Sequence, residues 1–131
     1  MSCIRVLIVD DEPLTRISLA DFLEEMGYTV VMAEGGEAAI RLQQEQAFDV
    51  CIVDIRMPGI SGVETLLALN RINPQSRYLV YTGSPQFVLS PALENIGLTE
   101  SDVIRKPLPD MSIFVERIEK LLDLGTSRTN P

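Results

Sequence analysis

Residues 50–64 read VCIVDIRMPGISGVE, and the prediction of the fold starts from this segment. It begins with an apolar run, residues 50–53, that no polar residue interrupts. Such a run is typical of a strand buried on both faces, as in a parallel sheet. Asp54 ends the run, Met57-Pro58-Gly59 predicts a turn, and Gly62 predicts a turn or a close approach of two backbone segments.

Apolar runs of the same kind recur along the chain, and each is followed by polar or turn-forming residues. They are residues 6–9 before Asp10, 28–33 before Gly35-Gly36, 78–81 before Thr82, and 103–104 before Arg105-Lys106-Pro107. The sequence therefore predicts five strands.

Segments of helical length separate these strands. The predicted helices cover residues 13–26, 37–46, 63–72, 91–96 and 110–124, the last with Gly125 as its stop. The first carries Leu14, Ile17, Leu23 and Met26 at helical spacing. The alternation of strand and helix predicts a doubly wound α/β fold with a parallel sheet.

The fourth helix is expected to be short because residues 83–101 contain both Pro85 and Pro91. Proline inside a helix removes a hydrogen bond and clashes with the preceding turn. Ser90 followed by Pro91 instead suits a cap and a first helical residue, with Gly97 as the stop. The residues before Ser90 are predicted to be irregular.

Length and composition narrow the class of protein. The 131 residues suit one compact domain, and a formal net charge of -8 disfavours a nucleic-acid backbone or an anionic membrane as the partner. The two cysteines form no CxxC pair, and the N-terminal residues do not read as a signal peptide, so a cytoplasmic location is expected. The chain has no histidine, which excludes Ser-His and Cys-His catalysis and histidine zinc sites.

Asp10, Asp11, Asp54, Thr82 and Lys106 all stand at or just beyond the C-terminal end of a predicted strand. One acidic residue there is commonly a turn or helix cap, but five polar groups at one sheet edge indicate a ligand site. Three neighbouring carboxylates repel one another unless a cation neutralises them, and hard oxygen ligands favour Mg²⁺. The adjacent Glu12 is assigned instead to the N-terminus of the first helix.

These motifs resemble the receiver domain of two-component response regulators, the CheY-like superfamily. The resemblance rests on VDDE after the first strand, DxxMPxxxGxE after the third, Thr82 after the fourth and Lys106-Pro107 after the fifth. It covers about residues 4–124 and leaves 125–131 as a polar C-terminal tail. It implies a flavodoxin-like fold with five parallel strands in the order 2-1-3-4-5.

The resemblance also implies a role for each matched residue. Asp54 is expected to accept a phosphoryl group from a phosphohistidine on a sensor histidine kinase or a histidine phosphotransfer protein. Asp10, Asp11 and the backbone carbonyl of Arg56 are expected to bind Mg²⁺ together with Asp54. The implied function is a signalling switch that catalyses only its own phosphorylation and dephosphorylation.

On the opposite side of the phosphoryl group, Lys106 is expected to pair with one oxygen and the hydroxyl of Thr82 to donate to another. The Lys106–Pro107 peptide bond is expected to be cis. Phosphoryl transfer asks mainly for in-line positioning and neutralisation of charge, which this set of groups supplies.

One position departs from the family pattern. Three residues before the lysine, where the family usually has a signalling Tyr or Phe, this chain has Val103. Val103 and residues 83–101 lie in the region of the family's common dimer or partner surface, so a homodimer is among the expected partners. We expect output to use a different face or a rearrangement of residues 83–89.

Two alternatives stay open at this point. One is a receiver-like module that binds partners without phosphorylation, which Val103 favours. The other is a Mg²⁺-dependent phosphatase with an Asp nucleophile, in which a carboxylate normally follows two residues after the nucleophile. Arg56 occupies that position after Asp54. The sequence does not identify the downstream partner.

Overall fold

The computed structural model describes residues 3–123 and contains a five-stranded parallel sheet with helices on both faces. The strands are β1 Arg5–Val9, β2 Thr29–Ala33, β3 Val50–Val53, β4 Arg77–Thr82 and β5 Val103–Arg105. The α-helices are α1 Pro13–Glu25, α2 Gly36–Glu45, α3 Gly62–Ile72, α4 Pro91–Asn95 and α5 Ser112–Leu121. The strand order is β2-β1-β3-β4-β5, which confirms the predicted fold and topology.

The uninterrupted apolar runs are buried because helices cover both faces of the central strands. Every residue of β3 is buried, and Val6 to Val9 of β1 are buried as well. Successive side chains point to opposite faces. In one apolar cluster, Leu7 of β1 is grouped with Leu66 of α3. In the other, Ile8 of β1 is grouped with Phe114 of α5.

The apolar residues singled out in the first helix do not mark its buried side. Leu14 is 83% exposed, and Ile17 and Met26 are also exposed, whereas the helix buries Leu19, Ala20 and Leu23. Nine residues are about two and a half helical turns, so Leu14 and Leu23 lie on opposite sides of the helix.

The fourth helix is short and begins as the sequence predicts. The backbone N–H of Leu93 donates to the Ser90 hydroxyl at 3.4 Å, and Pro91 is the first helical residue. Gly97, with φ of 104°, follows the helix in a conformation that favours glycine. A 3₁₀ turn at Glu100–Asp102, which the sequence analysis did not predict, then leads into β5.

The last helix begins later than the predicted start at Asp110. The Asp110 carboxylate accepts a hydrogen bond from the backbone N–H of Ser112 at 2.9 Å, and α5 begins at Ser112. The predictions for Leu124, for Gly125 as a stop and for the tail 125–131 lie outside the described residues. Within residues 3–123, no helix has both the length and the apolar character needed to span a membrane.

Candidate functional site

Three carboxylates converge at the C-terminal edge of the sheet. Asp10 and Asp11 follow β1 and Asp54 follows β3, and one oxygen from each lies within 4.8 Å of the others. Asp10 is 2% exposed and Asp54 is 6% exposed, whereas Asp11 is half-buried. The structure therefore brings together the acidic residues that the sequence analysis grouped.

Lys106 reaches the same cluster from the end of β5. Its Nζ atom lies 3.1 Å from Asp10 Oδ2 and donates a hydrogen bond to it, and it lies 3.6 Å from Asp54 Oδ2. The ammonium also stands 5.0 Å from the centroid of the Tyr81 ring. That ring packs edge-on against Phe114, so α5 supports the aromatic surface beside the lysine.

Glu12 has a position that the sequence analysis missed. Its Oε1 atom lies 3.5 Å from Lys106 Nζ and accepts a hydrogen bond from the Thr15 hydroxyl at 3.3 Å. Glu12 is the residue before α1, but its side chain makes no capping hydrogen bond to the helix backbone. Its carboxylate thus contributes to the charge around Lys106, and the assignment to the helix N-terminus alone was incomplete.

Hydrogen bonds fix the main chain at the two buried aspartates, Asp10 and Asp54. Asp10 Oδ1 accepts from the N–H of Glu12 at 2.9 Å, and the Asp10 carbonyl accepts from the Arg16 guanidinium at 2.8 Å. The N–H of Asp54 donates to the Val9 carbonyl at 2.9 Å, which extends the β1–β3 pairing to the site itself. These contacts fix the main chain at both aspartates and one oxygen of the Asp10 carboxylate.

Gly62, the first residue of α3, packs against the backbone at Asp54. A Cβ atom on Gly62 would clash with the carbonyl oxygen of Asp54 and with the Cα of Ile55. The N–H of Gly62 also donates to the Ile55 carbonyl at 2.9 Å. The prediction of a close backbone approach at Gly62 is confirmed, and it explains why this position has no side chain.

The start of α3 is fixed by a capping box. The Ser61 hydroxyl accepts from the N–H of Glu64 at 3.1 Å, and the Glu64 carboxylate accepts from the N–H of Ser61 at 3.0 Å. Gly59, with φ of 81°, belongs to the preceding turn that Met57-Pro58-Gly59 predicts. The loop after Asp54 is therefore anchored at its far end.

Thr82 ends β4 and is buried. Its hydroxyl accepts a hydrogen bond from the N–H of Ser84 at 3.0 Å, and its carbonyl accepts from the N–H of Lys106 at 2.8 Å. The Lys106–Pro107 peptide bond is cis, as the resemblance implies. Thr82 thus lies at the same sheet edge as Lys106, and its hydroxyl already has one partner.

An open cavity of about 360 Å³ lies above these groups. The described residues that line it are Asp11, Glu12, Asp54, Arg56, Gly83, Ser84 and Lys106. Gly83 and Ser84 are lining residues that the sequence analysis missed, although their position directly after Thr82 was the available signal. The N–H of Arg56 is directed back toward Asp54 Oδ1 at 3.4 Å.

Burial and charge set the titration of the two central groups. Burial raises the pKa of Asp54, the Lys106 ammonium opposes this, and the negative charge of Asp10 adds to it; the net pKa is above its usual range. Burial lowers the pKa of Lys106, but the hydrogen bond to Asp10 and the charges of Asp10, Asp54 and Glu12 outweigh it and raise that pKa. The lysine therefore stays charged, and the Asp54 carboxyl is harder to ionise than a carboxyl in water.

The donor set fits a hard divalent cation. Three carboxylates supply oxygen ligands around an open position, and a single ammonium does not balance their charge. Asp10, Asp11 and Asp54 are the residues that could hold such an ion.

Val103 does not reach this site. It packs against the apolar cluster on the side of the sheet covered by α2, α3 and α4, and Phe87 from the loop before α4 packs against the same cluster. The departure that the sequence predicts at Val103 therefore concerns the region around α4 and leaves the carboxylate cluster unaltered.

Comparisons with known proteins agree with this arrangement. Residues 6–119 match the family model of the response regulator receiver domain. The chain is similar to a crystal structure of a CheY-like receiver domain protein from Methanospirillum hungatei, with 28% identity, a TM-score of 0.84, and coverage of 93% of this chain and 95% of that one. It is also similar to the response regulator TrrA of Thermotoga maritima, solved in complex with Mg²⁺-BeF, with 29% identity, a TM-score of 0.79, and coverage of 90% and 98%.

Among curated proteins, the chain is 33% identical over 103 residues to a cyclic di-GMP phosphodiesterase of Thermotoga maritima. The alignment covers 79% of this chain but 27% of that protein, and this chain spans well under half of the length of the curated relatives it matches. The shared part is therefore one domain of longer proteins. From its fold, its strand-end carboxylates and lysine, and the match over residues 6–119, the chain belongs to the response regulator receiver domain family.

Proposed function

We propose that this chain is a phosphoacceptor switch of a two-component phosphorelay in which Asp54 is the acceptor. The observation that carries this proposal is the position of Asp54 in the cavity, with its Oδ2 atom 3.6 Å from Lys106 Nζ and two further carboxylates beside it. A nucleophile, positive charge and an open position for the incoming group are the requirements of phosphoryl transfer.

In the proposed reaction, an Asp54 carboxylate oxygen forms a bond to phosphorus while the bond from phosphorus to the donor breaks. With a phosphohistidine donor, the electron pair of that P–N bond returns to the imidazole, and the product is an acyl phosphate on Asp54. Lys106 would turn from Asp10 toward a phosphoryl oxygen, since its ammonium is within reach of both carboxylates. The Thr82 hydroxyl would donate to another oxygen while still accepting from Ser84.

Magnesium is the proposed metal, held by Asp10, Asp11 and Asp54 with the backbone carbonyl of Arg56. When bound, it neutralises carboxylate and phosphoryl charge. Support comes from the three clustered carboxylates and from the raised pKa of Asp54, to which burial and the negative charge of Asp10 contribute. The inclusion of Arg56 in this set is supported by its N–H contact to Asp54 and by its place in the cavity lining.

The proposed donor is a sensor histidine kinase or a histidine phosphotransfer protein. The 131 residues contain no histidine, so the phosphohistidine would lie outside them. We propose that the receiver domain covers residues 4–124, with 125–131 as a tail, and that it acts in the cytoplasm. The free thiols of Cys3 and Cys51 are consistent with a reducing compartment.

The decisive experiment is an intact-mass measurement after incubation with Mg²⁺ and acetyl phosphate. We expect a single phosphoryl adduct on the wild-type protein and none on Asp54→Asn. Asp21→Asn, on the exposed surface of α1, is the matched control and should be modified like the wild type. A protein that stays unmodified with both acetyl phosphate and a phosphorylated kinase would instead be a module that binds partners without phosphorylation, and steady hydrolysis of a phosphoester would indicate a phosphatase.

A further inference from the structure

We propose that Arg105 is a positioning residue that links the acceptor site to the loop of residues 83–89, and that this link restrains the loop in the unphosphorylated protein. The inference rests on the proposed function for its phosphorylation step, but the contact itself is independent of it. Arg105 is the last residue of β5 and directly precedes Lys106.

The contact is a clamp on two backbone carbonyls. Arg105 Nη1 donates to the carbonyl of Ser84 at 3.1 Å, and Nη2 donates to the carbonyl of Phe87 at 2.9 Å. A planar guanidinium with several N–H groups can hold two acceptors at once. We refer to these two hydrogen bonds as the Arg105 clamp.

The loop has little regular structure of its own. Residues 83–89 contain no helix or strand, and the N–H of Phe87 donates to the Ser84 carbonyl at 3.3 Å, a rather long bond. The clamp therefore adds a charged donor at both ends of this turn. Hydrogen bonds to charged groups are stronger than those between neutral groups.

The clamp lies where the family's signalling aromatic would act. Alternation along β5 puts Arg105 on the same face of the sheet as Val103. Phe87, whose carbonyl is clamped, packs its side chain against the same apolar cluster as Val103. The clamp therefore restrains the backbone of a residue whose ring packs against the same apolar cluster as Val103.

The other end of the link is Thr82. Ser84 receives the Arg105 clamp on its carbonyl and donates its N–H to the Thr82 hydroxyl at 3.0 Å. Gly83 and Ser84 also line the cavity beside Asp54. When the Thr82 hydroxyl turns toward a phosphoryl oxygen, it draws Ser84 with it and weakens the clamp, which frees residues 83–89 to rearrange.

Hydrogen–deuterium exchange of the unphosphorylated protein tests the clamp directly. We expect the peptide covering residues 83–89 to exchange more rapidly in Arg105→Ala than in the wild type, with Arg105→Lys in between because an ammonium lacks the two-pronged geometry. Arg77→Ala, at the opposite end of β4, is the matched control and should match the wild type. Equal exchange in Arg105→Ala and wild type overturns the proposal, whether or not Asp54 is phosphorylated.

A second measurement tests the coupling. With Mg²⁺ and beryllofluoride, a stable mimic of the phosphoryl group, the wild-type peptide 83–89 should exchange faster than without it. Arg105→Ala should exchange fast in both conditions. Binding of beryllofluoride is followed by the rise in thermal stability. If it binds and the exchange rate of the wild-type peptide stays the same, the coupling is contradicted.

A double-mutant cycle separates positioning from general stability. Arg105→Ala should increase the rate of Asp54 phosphorylation by acetyl phosphate roughly threefold to tenfold, because the charged hydrogen bonds no longer oppose the rearrangement. In a Thr82→Val background, which removes the hydroxyl, Arg105→Ala should give no further increase. Equal effects of Arg105→Ala in both backgrounds overturn the route through Thr82, and absence of any adduct on the wild type contradicts the proposed function instead.

Discussion

Lys106 donates a hydrogen bond to Asp10 at 3.1 Å, so the lysine is already paired before any phosphoryl group is present. Its positive charge neutralises part of the negative carboxylate charge that a divalent cation would also neutralise. Metal binding and lysine pairing therefore compete for the same carboxylates.

Replacing Lys106 with methionine should separate metal affinity from phosphorylation. We expect Mg²⁺ to bind about threefold to tenfold more tightly, because a positive charge beside the carboxylates is removed. Phosphorylation of Asp54 should become slower, because one counter-charge for the phosphoryl oxygens is lost. Calorimetric titration with Mg²⁺ and the intact-mass time course measure the two effects. Lys120, the other lysine of the chain, is exposed on α5. Lys120→Met is the control and should change neither the Mg²⁺ affinity nor the rate of phosphorylation.

Asp54→Asn should stabilise the metal-free protein at neutral pH. The pKa of Asp54 is raised in the folded state, so the unfolded carboxyl ionises first and wild-type stability falls as pH rises from the ordinary carboxyl pKa toward the raised value. The variant lacks this titration. In EDTA, the unfolding temperature of Asp54→Asn should therefore be higher than that of the wild type at pH 7. The difference between the two unfolding temperatures should be smaller near pH 4.

The same measurement with Mg²⁺ gives the complementary result. Added Mg²⁺ should raise the unfolding temperature of the wild type more than that of Asp54→Asn, because one ligand is missing from the variant. A wild type that gains no stability from Mg²⁺ would contradict the metal site.

Gly62→Ala should destabilise the fold by about 2–3 kcal/mol or more, since the new methyl group meets the backbone of Asp54 and Ile55. Backbone atoms cannot move aside as the tip of a flexible side chain can. Urea unfolding measures the loss, and the intact-mass time course should also show slower phosphorylation. Gly35→Ala is the control: its φ of -170° suits any residue, and among residues 3–123 no atom beyond its chain neighbours and its own helix lies within 4 Å of the added Cβ.

The two thiols should react at very different rates. Cys3 is exposed, whereas Cys51 lies in the centre of β3 and burial raises the pKa of its thiol well above the usual range. We expect one fast equivalent with a chromogenic disulfide reagent at pH 8 and a second after unfolding. Cys3→Ser should lose the fast equivalent, and a fast reaction that survives in this variant would show that β3 opens readily.

The sequence was sufficient for the parts of this molecule that depend on local pattern. The apolar run of β3 predicted both boundaries of that strand, and the polar residues after β1, β3 and β5 predicted which side chains meet at the sheet edge. The topology of a parallel sheet converts position along the chain into position in space, which is why this inference succeeded.

Features that depend on how separate elements pack could not be predicted in the same way. The buried side of α1 is set by its docking on the sheet, and Leu14 and Leu23, both singled out from the sequence, lie on opposite sides of the helix. The contacts of Glu12 with Lys106 and of Arg105 with Phe87 depend on side-chain directions and on an irregular loop. No spacing rule relates residues so far apart in the chain.

Because Gly62 has no side chain, the surroundings of Asp54 on the α3 side are more rigid than those on the side of β4 and β5. Toward α3, backbone touches backbone and the capping box fixes the helix start, so that side can only move as a unit with the acceptor. Toward β4 and β5, side-chain contacts of Lys106 and Thr82 can be exchanged one at a time. A conformational change that follows modification of Asp54 should therefore spread through β4 and β5. Partners that bind the first turn of α3 should bind the modified and unmodified proteins with equal affinity.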